Sequence, residues 1–454
     1  MFCRGGPALP ERFECYLDAV AAAVRWRRTR PFAVKELRTH LIEQREAYLA
    51  EGMSEAEAEE ATLRDMGDPT EVGESLNSVH RPWEQWLALA AVTLLACAAV
   101  FLRFRLTAGY AFERPSPIKT AAALLLGLGA MAGGYFFDYR VLLRHAKAVY
   151  AGAMALGLFS WQFGPHVNHA AWHTRHVVLL YPVVYVLWLA ACRGKGWKGL
   201  VLAVLGGVPL AVVALIAPYV TGLFLLLIVG FAALLAAAKA DWFGVGRAAG
   251  LGGTLAAAAG VAVPAIRKMC NSASFARRAE FLLHPEQDPF GYGYQAMSVR
   301  NMLSGAAWQG ETEISSLYGG MPYERIVPAW NDDYFLTTIA CKLGWFFFLL
   351  TAAALLGLFL WLGCRALRQR GNPCGRLITL SVSLSLLLQT VGAIAQNLGY
   401  LFFGSVSIPV FSGNLNMVIT LSLVGLALST IRQQNLPEED PRRPAVPASV
   451  AQTS

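Results

Sequence analysis

The chain of 454 residues is poor in charge: Asp, Glu, Lys and Arg make up 15% of it, against 56% hydrophobic residues. So few charges cannot cover a water-facing globule of this length, and a soluble enzyme is excluded. Cysteine is scarce and scattered, with eight residues at positions 3, 15, 97, 192, 270, 341, 364 and 374. There is no CxxC pair, so the usual zinc and dithiol motifs are missing, and the spacing supports no disulfide framework. Residues 1–83 lack the apolar run of a signal peptide, which leads to the expectation of a cytoplasmic amino terminus. P-loop, dinucleotide fingerprint and Ser/His/Asp motifs are also missing, and ATP-driven and hydrolytic roles are set aside with them.

Long apolar runs are abundant, and the mean hydropathy is +0.44. A helix needs roughly 20 apolar residues to cross about 30 Å of hydrocarbon. Ten candidate stretches centre near residues 95, 128, 155, 184, 208, 229, 257, 348, 388 and 421. The expected fold is therefore all-α: a polytopic helical membrane protein with ten transmembrane helices over residues 86–432. An even number of spans puts both termini on one side. The loops that then face inward carry Arg140, Arg144, Lys147, Arg193, Lys195, Lys198, Lys239, Arg247, Arg365, Arg368, Arg370 and Arg376. The short outward loops carry Arg103, Arg105, Arg114, Lys119 and Arg175, so the positive-inside rule favours cytoplasmic termini. The formal net charge of +8 is accounted for in the same way, without a nucleic-acid partner. One connection, residues 267–332 between the seventh and eighth spans, is far longer than the others, and long loops are usually functional. Residues 433–454 are Pro-rich and charged, the composition of a disordered cytoplasmic tail.

Residues 1–85 differ in character, with short amphipathic helices and strong start and stop signals. One helix is expected from about Glu11 to Arg28 and a second from Pro31 to Gly52. A third opens on a capping box of Ser54 with Glu57 and ends at Gly67, and a fourth begins at Asp68 and Pro69. The stretch from Glu36 to Val72 resembles the permease prefix domain that precedes several bacterial membrane proteins. That resemblance implies a small helical adaptor or regulatory module without catalytic residues.

The long loop contains A-E-F-L-L-H-P-E-Q-D-P-F-G-Y-G-Y-Q at 279–295 and ends in P-A-W-N-D-D-Y-F-L-T-T-I-A-C-K-L-G at 328–344. Q-T-V-G-A-I-A-Q-N-L-G follows at 389–399 and I-P-V-F-S at 408–412. These ordered motifs, with the ten spans and the large loop, resemble the SEDS family of FtsW, RodA and SpoVE. The resemblance implies a peptidoglycan glycosyltransferase that polymerises lipid II at the outer face of the bacterial cytoplasmic membrane, in elongation, division or sporulation. It also implies a class B penicillin-binding protein as partner. Glycosyl transfer from an undecaprenyl pyrophosphate needs a base near the acceptor hydroxyl and positive charge near the pyrophosphate. No cofactor is specified, and a divalent cation is the one candidate left open.

The loop aspartate of the family maps onto Asp333, with Asp332 next in line if the register shifts by one. A competing reading is that Asn331, Asp332 or Asp333 only caps the helix that follows. Arg300, Arg325, Arg277 and Arg278 are candidates for the pyrophosphate, because Arg binds phosphate oxygens bidentately. Gln295, Gln389, Asn397 and Ser412, which stand within the matched motifs, are candidates for further substrate contacts. Lys342 reads as a Lys inside an apolar span, costly and thus a functional or structurally paired residue. His166, His169, His173 and His176 would share one face if their stretch were helical and could then bind a metal or sense pH. Three family segments are altered, at 181–189 (Y-P-V-V-Y-V-L-W-L), 218–222 (P-Y-V-T-G) and 413–416 (G-N-L-N). The losses keep open a non-catalytic scaffold or regulator of cell-wall synthesis, and less so a lipid-linked precursor flippase.

Overall fold

The computed structural model describes residues 10–24, 30–79, 82–107, 116–167, 170–291, 293–312, 326–327, 329–369, 372–400 and 405–435. The chain forms two compact units, one built on the amino-terminal helices and one running from Gln85 to Ile431.

The amino-terminal unit holds helices Glu11–Ala23, Arg30–Ala50, Glu55–Met66 and Pro69–Val79. Phe13, Leu17 and Val20 recur at helical spacing on the first and meet Leu37 and Leu41 of the second in a small core. Ser54 and Glu57 form the expected capping box, the Ser54 N–H donating to Glu57 Oε2 at 3.1 Å. Gly52 and Gly67 end the second and third helices with positive φ, a backbone that costs other residues about 1–2 kcal/mol. The first helix stops at Ala23 rather than Arg28 because Val24 is already extended.

The second unit is an integral membrane bundle. Among the described residues nine helices are long and apolar enough to cross a bilayer: Trp86–Thr107, Pro117–Phe136, Thr174–Cys192, Gly196–Ile216, Val220–Lys239, Arg247–Lys268, Trp345–Arg368, Pro373–Asn397 and Asn414–Arg432. The remaining expected span, near residue 155, is the 18-residue helix Ala146–Phe163, less apolar than the others because it holds Lys147 and Gln162. It lies antiparallel along Thr174–Cys192. Ser160 Oγ is 3.0 Å from Thr174 Oγ1 at one end, and the Tyr150 and Trp188 rings are 4.7 Å apart at the other.

Burial separates the centre of the bundle from its rim. The helix Thr174–Cys192 is 83% buried, while Trp86–Thr107 is 22% buried and turns most of its apolar surface outward, as a lipid-facing helix does. Pro373–Asn397 and Asn414–Arg432 are the other well-buried helices, and their polar side chains pair inside the protein, Thr379 with Thr430 and Ser383 Oγ with Phe359 O at 2.7 Å.

The long connection carries helices of its own, Ala273–Leu283 and Tyr294–Ser304. The segment leading to the Trp345–Arg368 span is also helical, Phe335–Leu343, and is set off from that span by Gly344 at φ +102°. A Cβ at Gly344 would sit 2.5 Å from Trp308 O. The break corrects the reading of Lys342, which stands in this short helix and not in the apolar span.

Candidate functional site

A largely buried turn, residues 331–334, precedes the short helix. Four helix ends meet this turn. Arg175 begins Thr174–Cys192, Asn397 ends Pro373–Asn397, Asn414 begins Asn414–Arg432, and Arg103 lies in the last turns of Trp86–Thr107.

The turn holds Asp332 and Asp333, only 9% and 3% exposed. Arg175 spans both carboxylates, with Nη1 3.2 Å from Asp333 Oδ2 and Nη2 3.5 Å from Asp332 Oδ2. Its guanidinium also lies 3.7 Å from the centre of the Trp172 ring, a cation–π contact that holds the fork in plane. Arg103 Nε donates to Asn331 O at 3.2 Å and Nη1 to Asn414 Oδ1 at 3.5 Å. Two guanidinium groups thus stand against two carboxylates, which is what makes this burial of charge tolerable.

The backbone of the turn is held from outside it. Ser412 Oγ donates to Asp332 O at 3.0 Å, while Asn397 Nδ2 and Gln396 Nε2 donate to Asp333 O at 2.9 and 3.2 Å. Asn397 Oδ1 accepts from the Thr337 N–H at 2.9 Å and so caps the short helix across the bundle. Neither aspartate serves as cap: the cap position is Tyr334, without a side-chain bond. The carboxylates are instead engaged by Arg175, by the Ser405 hydroxyl on Asp333, and by the Gly413 N–H on Asp332. Burial raises the pKa of Asp332, and the charge of Asp333 raises it further. Arg103, Arg175 and the Gly413 N–H restrain the rise, to about 6.

Several polar atoms around this pair are buried and have no protein partner among the described residues: Asp332 Oδ1, Asp333 Oδ1, Arg175 Nε, His176 Nε2 and Tyr219 Oη. So many in one place mark a site for water or a polar ligand, since buried polar groups are otherwise nearly always bonded.

The structure gathers Asp332, Asp333, Asn397 and Ser412 here, and Gln389 stands one step behind, its Nε2 donating to Ser407 O at 2.8 Å. Arg300 lies beside the end of Pro373–Asn397, donating to Leu282 O at 3.2 Å and stacked 4.5 Å over the Tyr400 ring. Gln295 is half-buried on the same helix, and Arg277 is exposed. Arg325 lies outside the described residues. Lys342 pairs with Glu311 at 2.6 Å, away from the span where it was expected. The four-His face does not form: His166 is in a two-residue strand pair, His173 in a turn and His176 in a helix, while His169 lies outside the described residues. Among the described residues no three His, Cys, Asp or Glu side chains converge as metal ligands.

Sequence reasoning missed Arg103, Arg175, Tyr219, Ser405 and Gln396, and named His176 only as part of a four-His face. The signal was there for the two arginines, which made the outward loops more basic than topology requires. Two altered family segments also reach the site. Tyr219 and Thr221 belong to P-Y-V-T-G, and Gly413, Asn414 and Asn416 to G-N-L-N; Asn416 Nδ2 donates to Ile408 O at 2.8 Å.

No curated protein sequence matches the chain. Among solved structures, a chain of a peptidoglycan synthase complex, studied for its coordination of polymerization and crosslinking, is 18% identical with a TM-score of 0.58. The match covers 77% of this chain and 98% of that one. The rod shape-determining protein RodA of Thermus thermophilus is also 18% identical, with a TM-score of 0.45, covering 76% of this chain and 96% of that one. The sequence profile of the FtsW, RodA and SpoVE family, described as cell cycle protein, matches residues 82–436. With more than three quarters of its length inside that profile, this chain belongs to the family of FtsW, RodA and SpoVE.

Proposed function

We propose that the protein is a peptidoglycan glycosyltransferase that polymerises lipid II, with the Asp332–Asp333 pair as its catalytic centre. The observation that carries this reading is the buried pair itself, with one unbonded oxygen on each carboxylate among two arginines. Family membership supports a role in cell-wall synthesis, and the site supplies the groups that glycosyl transfer needs. A carboxylate oxygen takes the proton of the acceptor hydroxyl as the hydroxyl oxygen bonds to the donor's anomeric carbon. The bond from that carbon to the pyrophosphate oxygen breaks, and undecaprenyl pyrophosphate leaves with the electron pair. Arg103 and Arg175 are placed to balance the growing negative charge. A base with a pKa of about 6, as at Asp332, is ionised at neutral pH and still accepts a proton usefully. Ten passages of the membrane with cytoplasmic termini would put this end of the bundle at the outer face. The amino-terminal helices would then be a cytoplasmic regulatory module, and a class B penicillin-binding protein the partner that crosslinks the product.

A second reading has one observation in its favour. Asp333 is 3% exposed and occupied by Arg175 and Ser405, as in a scaffold that keeps the fold without turnover or an enzyme that a partner opens. The test is polymerisation of lipid II by the purified full-length chain, alone and with a cognate class B partner, with and without a chelator of divalent cations. Glycan strands that disappear in a folded Asp333→Ala variant support the enzyme. No product under any of these conditions supports the scaffold.

A further inference from the structure

A groove of about 370 Å³ runs between the helices Val220–Lys239, Trp345–Arg368 and Pro373–Asn397, well away from the aspartate pair. Its walls are apolar, with Ala232 and Ala236 on one helix, Leu360 and Leu367 on the second, and Leu377 and Leu387 marking its ends on the third. Ten residues separate Leu377 from Leu387, about 15 Å along the axis. That is half of the roughly 30 Å hydrocarbon thickness, the depth of one leaflet.

The end of the groove away from the bilayer centre is cationic. Lys239 follows Ala236 by three residues, Arg368 follows Cys364 by four, and Arg376 precedes Leu380 by four. At these spacings the three basic residues stand one turn beyond lining residues, at the flanks of the groove. Lys239 and Arg368 are exposed. Arg376 is half-buried, and its Nε is shut off from solvent without a hydrogen-bond partner among the described residues. The nearby Asp241 spends one carboxylate oxygen on the Gly246 N–H, at 3.0 Å. Inside the groove, the Ser381 hydroxyl is likewise buried and unbonded. It lies five residues from Arg376, about 7.5 Å along the axis.

We propose that this groove binds one anionic diacyl phospholipid from the bilayer. One acyl chain fills the apolar trough, and the phosphate meets Lys239, Arg368 and Arg376. The charge at the end selects the headgroup, while the length of the trough matches a chain that enters from one leaflet only.

Native mass spectrometry of the full-length protein, released from micelles holding dioleoyl-phosphatidylglycerol or dioleoyl-phosphatidylcholine, tests the site. One phosphatidylglycerol should be retained at a concentration at least tenfold below that needed for phosphatidylcholine. Arg368→Gln with Arg376→Gln should remove that preference, and Ala232→Leu with Ala236→Leu should abolish retention of both lipids. Lys239→Gln, on an exposed side chain that the fold does not need, should lower phosphatidylglycerol retention several-fold without changing the melting temperature. Equal retention of the two lipids by the wild type would overturn the proposal, as would full retention in the leucine variants. Displacement of the lipid by millimolar inorganic phosphate, or a dimer peak in its place, would likewise refute it.

Discussion

Replacing Arg175 with Gln tests the site most directly, because one side chain neutralises two buried carboxylates. At 3.2 and 3.5 Å and an effective dielectric constant of about 20, each contact is worth about 5 kcal/mol of Coulomb energy. Most of that offsets the removal of three charges from water, and what is lost when one partner disappears is about 3–5 kcal/mol. The same loss appears as proton affinity, since about 1.4 kcal/mol is one pKa unit. The Asp332 carboxyl, already raised to about 6, should rise further and hold its proton closer to neutral pH. Two measurements read this. Thermal unfolding should show a clear drop in Tm at pH 7, whatever the reaction. Lipid II polymerisation should show its acid limb near pH 6 in the wild type and at higher pH in Arg175→Gln. A variant with unchanged Tm and an unchanged acid limb would refute the reasoning, because the guanidinium would then carry no charge balance at the site. Arg175→Lys keeps the charge but not the two-pronged contact and should fall between the two.

Asp332→Asn should flatten the pH dependence of stability. A carboxyl whose pKa is raised on folding contributes stability that is present below its unfolded value near 4 and lost as pH climbs through about 6. The wild type should therefore lose Tm over that window, and the Asn variant should not. Asn397→Ala removes the cap on Thr337 and one of the amides holding Asp333 O; it should cost about 2–4 kcal/mol in chemical unfolding and reduce turnover while Asp333 remains in place. Ser54→Ala breaks the capping box and should cost about 1 kcal/mol, read by hydrogen exchange in the helix Glu55–Met66 and not in the membrane bundle.

What the sequence made legible was whatever repeats or alternates. Apolar runs of membrane length located the spans within a few residues, and Ser54, Glu57, Gly67 and Pro69 announced helix ends because capping is local chemistry. Ordered motifs identified the family and put Asp333, Asn397 and Ser412 among the candidate site residues, alongside Gln295, Gln389, Arg300, Arg325 and Lys342. The position of Lys342 was misread for a local reason. Gly344 splits a stretch that is apolar throughout, and hydropathy cannot register a break made by one residue with positive φ. Arg103 and Arg175 showed only as basic residues of outward loops and Tyr219 only as part of the altered segment P-Y-V-T-G, and nothing local ties any of them to Asp333. They are brought to Asp333 across 230, 158 and 114 residues of chain, and only the packing of four helix ends creates their shared environment. His166 and His173 show the opposite error, a local spacing that suggested a site where the backbone forms none.

The main-chain oxygens of Asp332 and Asp333 are held by Ser412, Gln396 and Asn397, side chains that belong to the ends of other elements. The carboxylates are therefore mounted on distant parts, much as a lens is mounted on a frame. Pro373–Asn397 is 25 residues long, about 37 Å, and its last turn grips the turn that bears the acids. Tilting this rod at its far end moves the grip at the near end, with no diffusing messenger and no rearrangement between. Contacts made at the far end of this helix thus reach the acid-bearing turn through a single element.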